Sequence, residues 1–354
     1  MDTIQVSTPT GSYPVYVGRG ALAELGRLVR ELGMGAQAAL ITSDPVGDLY
    51  EGTAVASLRR AGLNPALCRV PDGERFKTLG TVSAIYDQLI DHQLDRKSVL
   101  IALGGGVIGD MGGFAAATYL RGIPLVQVPT TLLAMVDSSL GGKVAVDHPR
   151  GKNLIGAFYQ PRLVLTDTAT LSTLPPVEWR AGLAEVIKHG MISAPDLFAH
   201  LEQQGTEPLD WVVQRAIAVK VEVIQEDPYE MGRRAVLNLG HTFAHAFETI
   251  CDFKLRHGEA VGIGLVAATR TAIRMGLCPA GVESRVVNLL QRFDIPTRFG
   301  GHAPEAIRAC MATDKKRRGS RLRFVLPLEI GQVVVRDDVP EEMILEVLAS
   351  LASR

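Results

Sequence analysis

Cysteine is scarce and scattered: Cys68, Cys251, Cys278 and Cys310 are the only four, and no two form a C-x-x-C pair. That pattern excludes a zinc ribbon and a disulfide framework, and it fits a reducing cytoplasm. Charge of one sign is missing too. The 37 basic and 38 acidic side chains leave a net charge of −1, so no global field draws the chain to nucleic acid or a membrane surface. No uncharged apolar run reaches the roughly 18 residues a membrane helix needs, and the stretch from Gly122 to Val136 is interrupted by Pro and Gln. The opening Met-Asp-Thr-Ile-Gln has no basic segment followed by an apolar one, so no signal peptide is expected. The expectation is a cytoplasmic globule whose anionic ligands, if any, are held by local cations.

The 354 residues, 47% hydrophobic, suffice for two domains. The first half alternates short β-branched runs with amphipathic stretches, as a parallel α/β sheet requires. Strands are expected at 15–17, 39–42, 66–70, 99–103, 125–128 and 163–166, and helices at 21–32, 50–61 and 81–92. After Asp167 the texture turns helical, at 183–192, 211–226, 235–250, 259–275 and 282–293, with late strands at 322–325 and 333–335. The fold class expected is α/β: a Rossmann-like nucleotide-binding domain over residues 1–170, then a mostly α-helical metal- and substrate-binding domain over 171–354.

Three of the eight histidines fall within seventeen residues: His241, His245 and His257. Imidazole is the commonest metal ligand. His241 and His245 are spaced i, i+4 and would share a helix face. His257 lies sixteen residues past His241, roughly 24 Å of continuous helix, so it joins them only if the chain turns back, and Cys251–Arg256 offers a polar break. Glu185, Lys188 and His189 sit together in an amphipathic segment, and a carboxylate with two imidazoles is a sensible zinc set. Arg234, Asn238 and His241 could share one helical face, and Lys220 stands in the preceding helix. Taken singly, each of these charges reads as a solvated one.

In the first half, Gly104, Gly105, Gly106 and Gly109, followed by Asp110, satisfy G-x-G-x-x-G after a buried strand. In that setting backbone amides approach a diphosphate at a helix N-terminus; tight packing is the plainer explanation of the same glycines. Asp110 could cap the helix or meet a ribose hydroxyl. Glu74 and Lys77, and Thr130 and Thr131, follow strand ends, where parallel sheets bind ligands, and Lys143 and Lys152, set beside glycines, suit a phosphate or carboxylate.

The ordered blocks GERFKT, GGGVIGD, VPTTLLAMVDSSLGGKVAVD, GKNLIGAF, AGLAEVIKHG, NLGHTFAHAFE, HGEAV and DKK resemble the 3-dehydroquinate synthase family of sugar-phosphate cyclases, from about Asp72 to Pro327. The resemblance implies an NAD- and metal-dependent carbon–oxygen lyase of the shikimate pathway and aromatic amino-acid biosynthesis. Its substrate would be 3-deoxy-D-arabino-heptulosonate 7-phosphate, its metal one divalent ion (zinc or cobalt), and its assembly a homodimer. It implies Glu185, His241 and His257 as metal ligands, with His245 and Glu230 handling protons and Lys188, Arg234 and Asn238 in the catalytic set. Substrate contacts would fall on Arg121, Asp137, Lys143, Asn153, Lys220 and Lys315 or Lys316. NAD contacts would fall on Glu74, Lys77, Gly104, Gly105, Gly106, Asp110, Thr130, Thr131 and Lys152, with Thr170, Thr173 and Leu174 near the adenine. Two rivals share parts of this pattern: a cyclase for another sugar phosphate, and a metal-dependent polyol dehydrogenase, for which His189, i+4 from Glu185, would be a fourth ligand.

Overall fold

The computed structural model describes residues 1–318 and 322–352, without the side chains of 312–318. Two compact units divide it, Met1–Pro175 and Pro176–Arg354.

The first unit contains, in chain order, β1 (Asp2–Thr8), β2 (Gly11–Val17), α1 (Leu25–Glu31), β3 (Gln37–Ser43), α2 (Asp44–Arg60), β4 (Asn64–Val70), α3 (Leu79–Asp91), β5 (Val99–Gly104), α4 (Gly106–Thr118), β6 (Leu125–Pro129), β7 (Lys143–His148), β8 (Gly151–Phe158) and β9 (Leu163–Thr166). Seven strands make one sheet in the order β1-β2-β9-β6-β5-β3-β4. Every pairing in it is parallel except the β1–β2 hairpin. Strands β3, β5, β6 and β9 are buried along nearly their whole length because both faces are covered, and alternation along each strand divides its side chains between two cores. Ala38, Leu40, Val99, Ile101 and Leu103 pack with Leu25, Val29 and Leu58 of α1 and α2. Ala39, Ile41, Leu100 and Ala102 pack with Val82, Ile85, Met111 and Ala115 of α3 and α4. Each buried Leu or Ile stabilises this arrangement by roughly 1.5–3 kcal/mol.

Strand β3 leads through α2 to β4 on one side of it, whereas β5 leads through α4 to β6 on the other. The order therefore reverses between β3 and β5, and the carboxyl ends at such a reversal form the ligand-binding crevice of open α/β sheets. All six strands expected in this half are present. The unforeseen elements are β1 and the antiparallel pair β7–β8, which forms a separate two-stranded sheet.

The second unit is α5 (Pro176–Ser193), α6 (Pro195–Gln203), α7 (Leu209–Glu226), α8 (His241–Ile250), α9 (His257–Arg274), α10 (Gly281–Arg292), α11 (Pro304–Arg318), the hairpin β10 (Phe324–Glu329) with β11 (Gln332–Arg336), and α12 (Glu341–Ser350). Helix α9 is buried on almost every side, and α5, α8, α10, α12 and β10 all pack on it. Its all-round apolar surface is what a central core helix requires. No helix among the described residues is long and apolar enough to cross a membrane.

One expectation fails here. Residues 235–250 are not one helix, so Arg234, Asn238 and His241 do not line a single helical face. A 3₁₀ segment, Arg233–Asn238, ends at Leu239, and Gly240 turns the chain at φ 79° before α8 begins. The left-handed φ favours glycine, and so does the space: a Cβ on Gly240 would lie 2.9 Å from the Leu265 nitrogen of α9. Gly240→Ala should therefore destabilise the second unit by roughly 1–3 kcal/mol. Urea unfolding followed by far-UV circular dichroism checks this, and an unchanged midpoint would contradict it.

Candidate metal and nucleotide sites

Glu185 has zero exposure on α5, inside a run, 181–192, that is buried throughout. A carboxylate in such a place must be paired. His241, the first residue of α8, and His257, the first of α9, each place Nε2 at 3.5 Å from Glu185 Oε1. They meet because α8 ends at Ile250 and the chain reverses through Asp252 and Phe253, at φ 50° and 59°. The polar segment at 251–256 is thus the turn that its composition suggested. Helices α5 and α9 approach backbone to backbone at the same level. A Cβ on Gly258 would lie 2.1 Å from Ala181 Cα, so small residues at both positions bring Glu185 and His257 within reach.

One ligand atom from each of Glu185, His241 and His257 lies within 4.8 Å of the others. Four tetrahedral ligands on bonds of about 2.1 Å stand roughly 3.4 Å apart, close to the spacing seen. The Lys188 ammonium pairs with Glu185 Oε2, and Oε1 faces the two imidazole Nε2 atoms. Two imidazole nitrogens and one carboxylate oxygen gathered around a fully buried glutamate fit a divalent zinc- or cobalt-type ion. Neither His245 nor His189 belongs to the trio. His245 is exposed on α8 with its ring edge-on to His241 at 5.6 Å. His189 is buried on α5.

Charge follows this packing. Burial pushes Glu185 up, but Lys188 and the two imidazoles outweigh it and hold it well below the usual carboxylate range. Burial and the Lys188 charge drive His241 down to about 3. His257 is likewise lowered by burial, but Glu185 and Glu248 overcome that and raise it to about 10.

In the loop after α7, Glu230 stands at φ 59° and accepts a hydrogen bond from Asn238 Nδ2 at 3.3 Å. The loop is held by Asp227, whose carboxylate accepts the backbone N–H groups of Met231, Gly232 and Arg234 at 2.7–2.9 Å. The Arg234 guanidinium donates back to the Pro228 carbonyl at 2.6 Å. Arg234 and Lys220 are buried. Lys315 and Lys316 fall outside the described side chains. Sequence reasoning passed over Asp227 and Glu248. Asp227 follows the end of α7 and precedes a Pro, where an Asp readily organises a turn by accepting backbone N–H groups; Glu248 is i+7 from His241 and so shares its helix face.

In the first unit, Gly104 closes β5 and α4 begins at Gly106. Asp110 is a full turn inside α4 and does not cap it. Instead it takes the Lys77 ammonium, which also donates to Asn153 Oδ1 at 2.6 Å. Lys77 is buried, and the Asp147 N–H donates to its carbonyl at 2.7 Å, so the β7–β8 hairpin and the turn after β4 share one polar knot. Lys152 lies 4.0 Å from Glu74, both exposed. The Thr130 N–H donates to Gly104 O at 3.0 Å, and Thr131 Oγ1 accepts from Ala134 N at 3.2 Å. Asp137 lies in a π-helical turn, Lys143 opens β7 with its side chain exposed, and Arg121 is exposed at φ 67°. Thr170 is buried, its hydroxyl spent on the Asp167 carbonyl at 2.8 Å. Tyr50 of α2 ties Thr173 Oγ1 and the Thr170 carbonyl together, and Leu174 follows half-buried.

Comparison with known proteins gives a consistent result. The family described as 3-dehydroquinate synthase N-terminal matches residues 67–181, and that described as 3-dehydroquinate synthase C-terminal matches 182–317. The 3-dehydroquinate synthase of Geobacter metallireducens is 49% identical over 339 residues, covering 94% of each chain. Two solved structures share the whole fold. One is 2-epi-5-epi-valiolone synthase from Streptomyces hygroscopicus with NAD+ and Zn2+ bound, at TM-score 0.88, 29% identity and 98% coverage of both chains. The other is 2-deoxy-scyllo-inosose synthase with carbaglucose-6-phosphate, NAD+ and Co2+, at TM-score 0.87, 28% identity and 99% coverage of both.

The Lys77–Asp110 pair gives a measurable consequence. Burial raises Asp110 to about 6 against the opposing Lys77 charge, while Lys77, lowered by burial, is carried above its ordinary value by Asp110 and Glu74. Asp110 therefore contributes stability below its unfolded value of 3.8 that is lost as pH rises through about 6. Carboxyl ¹³C NMR should place its midpoint near 6, and Lys77→Met should move it higher. A midpoint near 4 would contradict the dominance of burial, and a downward move would contradict the pairing.

Proposed function

The chain belongs to the 3-dehydroquinate synthase family, and from that premise we propose that it converts 3-deoxy-D-arabino-heptulosonate 7-phosphate to 3-dehydroquinate and inorganic phosphate. The observation that carries this reading is the Glu185–His241–His257 trio built on a buried carboxylate, set beside a paired Lys188 and an exposed His245 that lies outside the trio. When bound, a divalent metal lowers the pKa of a substrate hydroxyl, and NAD takes up and later returns one hydride, so the net reaction is elimination and ring closure without net oxidation.

What the chain's own residues contribute follows from their places. Lys188, Lys220 and Arg234 are buried cations, suited to the carboxylate and phosphate oxygens of a doubly anionic substrate. His245 presents an accessible imidazole next to a ligand imidazole, where it can take or give a proton while leaving the metal alone. Glu230, oriented by Asn238 and by the Asp227-held loop, supplies a second proton acceptor. Around the glycines that close β5, Lys77, Asp110, Thr130 and Thr131 line the sheet's strand ends and support the NAD reading, with Tyr50 fixing the segment of Thr170 and Thr173 for the adenine. Arg121, Asp137, Lys143 and Asn153 are read as further substrate contacts. The protein is read as a cytoplasmic homodimer, supported by its free cysteines and by the family resemblance.

Phosphate release tests the proposal. With the heptulosonate and catalytic NAD, many turnovers per NAD are expected, abolished by a chelator and restored by zinc or cobalt. His245→Ala should retain the metal yet lower kcat by about 10²–10⁴. Turnover of sedoheptulose 7-phosphate in place of the heptulosonate, or stoichiometric NADH accumulation, would overturn it.

A further inference from the structure

We infer that Glu248 is a positioning residue that fixes which nitrogen of His257 faces the metal; this rests on the reading of Glu185, His241 and His257 as ligands. A neutral imidazole carries one N–H and one lone pair, and only the lone pair can bind a metal. The hydrogen bond made by the other nitrogen decides which is which. His257 Nδ1 lies 3.4 Å from Glu248 Oε1, and its Nε2 lies 3.5 Å from Glu185 Oε1. A carboxylate accepts and never donates when ionised, so Nδ1 keeps its proton against Glu248, and Nε2, facing Glu185, is the nitrogen from which a bound metal would displace one.

His241 is set the same way by a different device. Its Nδ1 is 3.2 Å from the Leu239 carbonyl, and its Nε2 also faces Glu185 at 3.5 Å. Both imidazoles thus present Nε2. The main chain fixes one of them, because Gly240 ends the 3₁₀ segment with Leu239 just before His241. The other depends on a replaceable side chain. Glu248 is only 7% exposed and stands seven residues after His241, on the helix face that turns toward α9. A surface role does not explain a carboxylate buried there, whereas orienting the ring that α9 presents does.

Zinc competition against a chromophoric chelator, with the full-length zinc-loaded protein, tests this. Glu248→Ala should weaken zinc binding about 10–100-fold, and Glu248→Gln, whose amide oxygen still accepts from Nδ1–H, should recover most of the loss. Long-range ¹H–¹⁵N spectra of the zinc-loaded wild type should show His257 protonated at Nδ1. Because that spectrum needs no variant, it holds even if Glu248→Ala fails to fold. A proton on Nε2, an Ala variant with wild-type affinity, or a Gln variant as weak as Ala would overturn the inference. Wild-type protein that binds no zinc would instead sink the metal reading itself.

Discussion

A fully buried carboxylate governs the second unit. Glu185 lies in the middle of α5 where every neighbour from 181 to 192 is also buried, and an isolated charge there would be untenable. Its surroundings are arranged to compensate. Lys188, one turn on, supplies a cation to one carboxylate oxygen, and His241 and His257 bring two imidazoles to the other from the starts of two further helices. Removing one member of such a group strands the others, at about 3–5 kcal/mol for a broken buried pair. A divalent ion would balance the same carboxylate from the side that the two Nε2 atoms face.

The packing serves that site at two points. Gly258 against Ala181 lets α9 touch α5 at the level of the trio, and Gly240 lets α8 begin against the backbone of α9. A side chain at either glycine forces apart the helices that carry the ligands. The first unit answers a different requirement. Its parallel sheet is covered on both faces, and the strand order reverses between β3 and β5, where the Gly104–Gly106 turn lies. Its buried Lys77 is satisfied by Asp110 and Asn153, which makes that corner a polar structure and not only a tight turn.

Much of this was legible in the chain. Six of the sheet's seven strands were legible, and β3, β5, β6 and β9 most clearly, because two-sided burial writes a nearly unbroken apolar run. The turn at 251–256 was visible as a polar gap between two histidine groups. The break at Gly240 was not, because Leu-Gly-His reads as a tolerated glycine within a helical period until α9 is known to press on it. Strand β1 and the β7–β8 hairpin were missed because their exposed faces mix polar and apolar residues without the continuous run of a buried strand. The ligand set was the deepest case. The i, i+4 spacing paired His241 with His245, and periodicity alone could not say that the partner is His257 across a turn, with Glu185 from a helix more than fifty residues earlier. The motif resemblance implied that grouping, and the geometry brings the same three together. Glu248 escaped notice because a glutamate on an amphipathic helix ordinarily faces solvent, and nothing local marks the side on which α9 lies.

The assignment of ligands is the point on which the account turns, and the anomalous scattering map of zinc-loaded crystals tests it most directly. A single peak is expected, bonded at about 2.0–2.2 Å to Nε2 of His241, Nε2 of His257 and a carboxylate oxygen of Glu185, with His245 outside the coordination sphere. A metal bound through His245 or His189 in place of His257, or no peak among these residues, would contradict it.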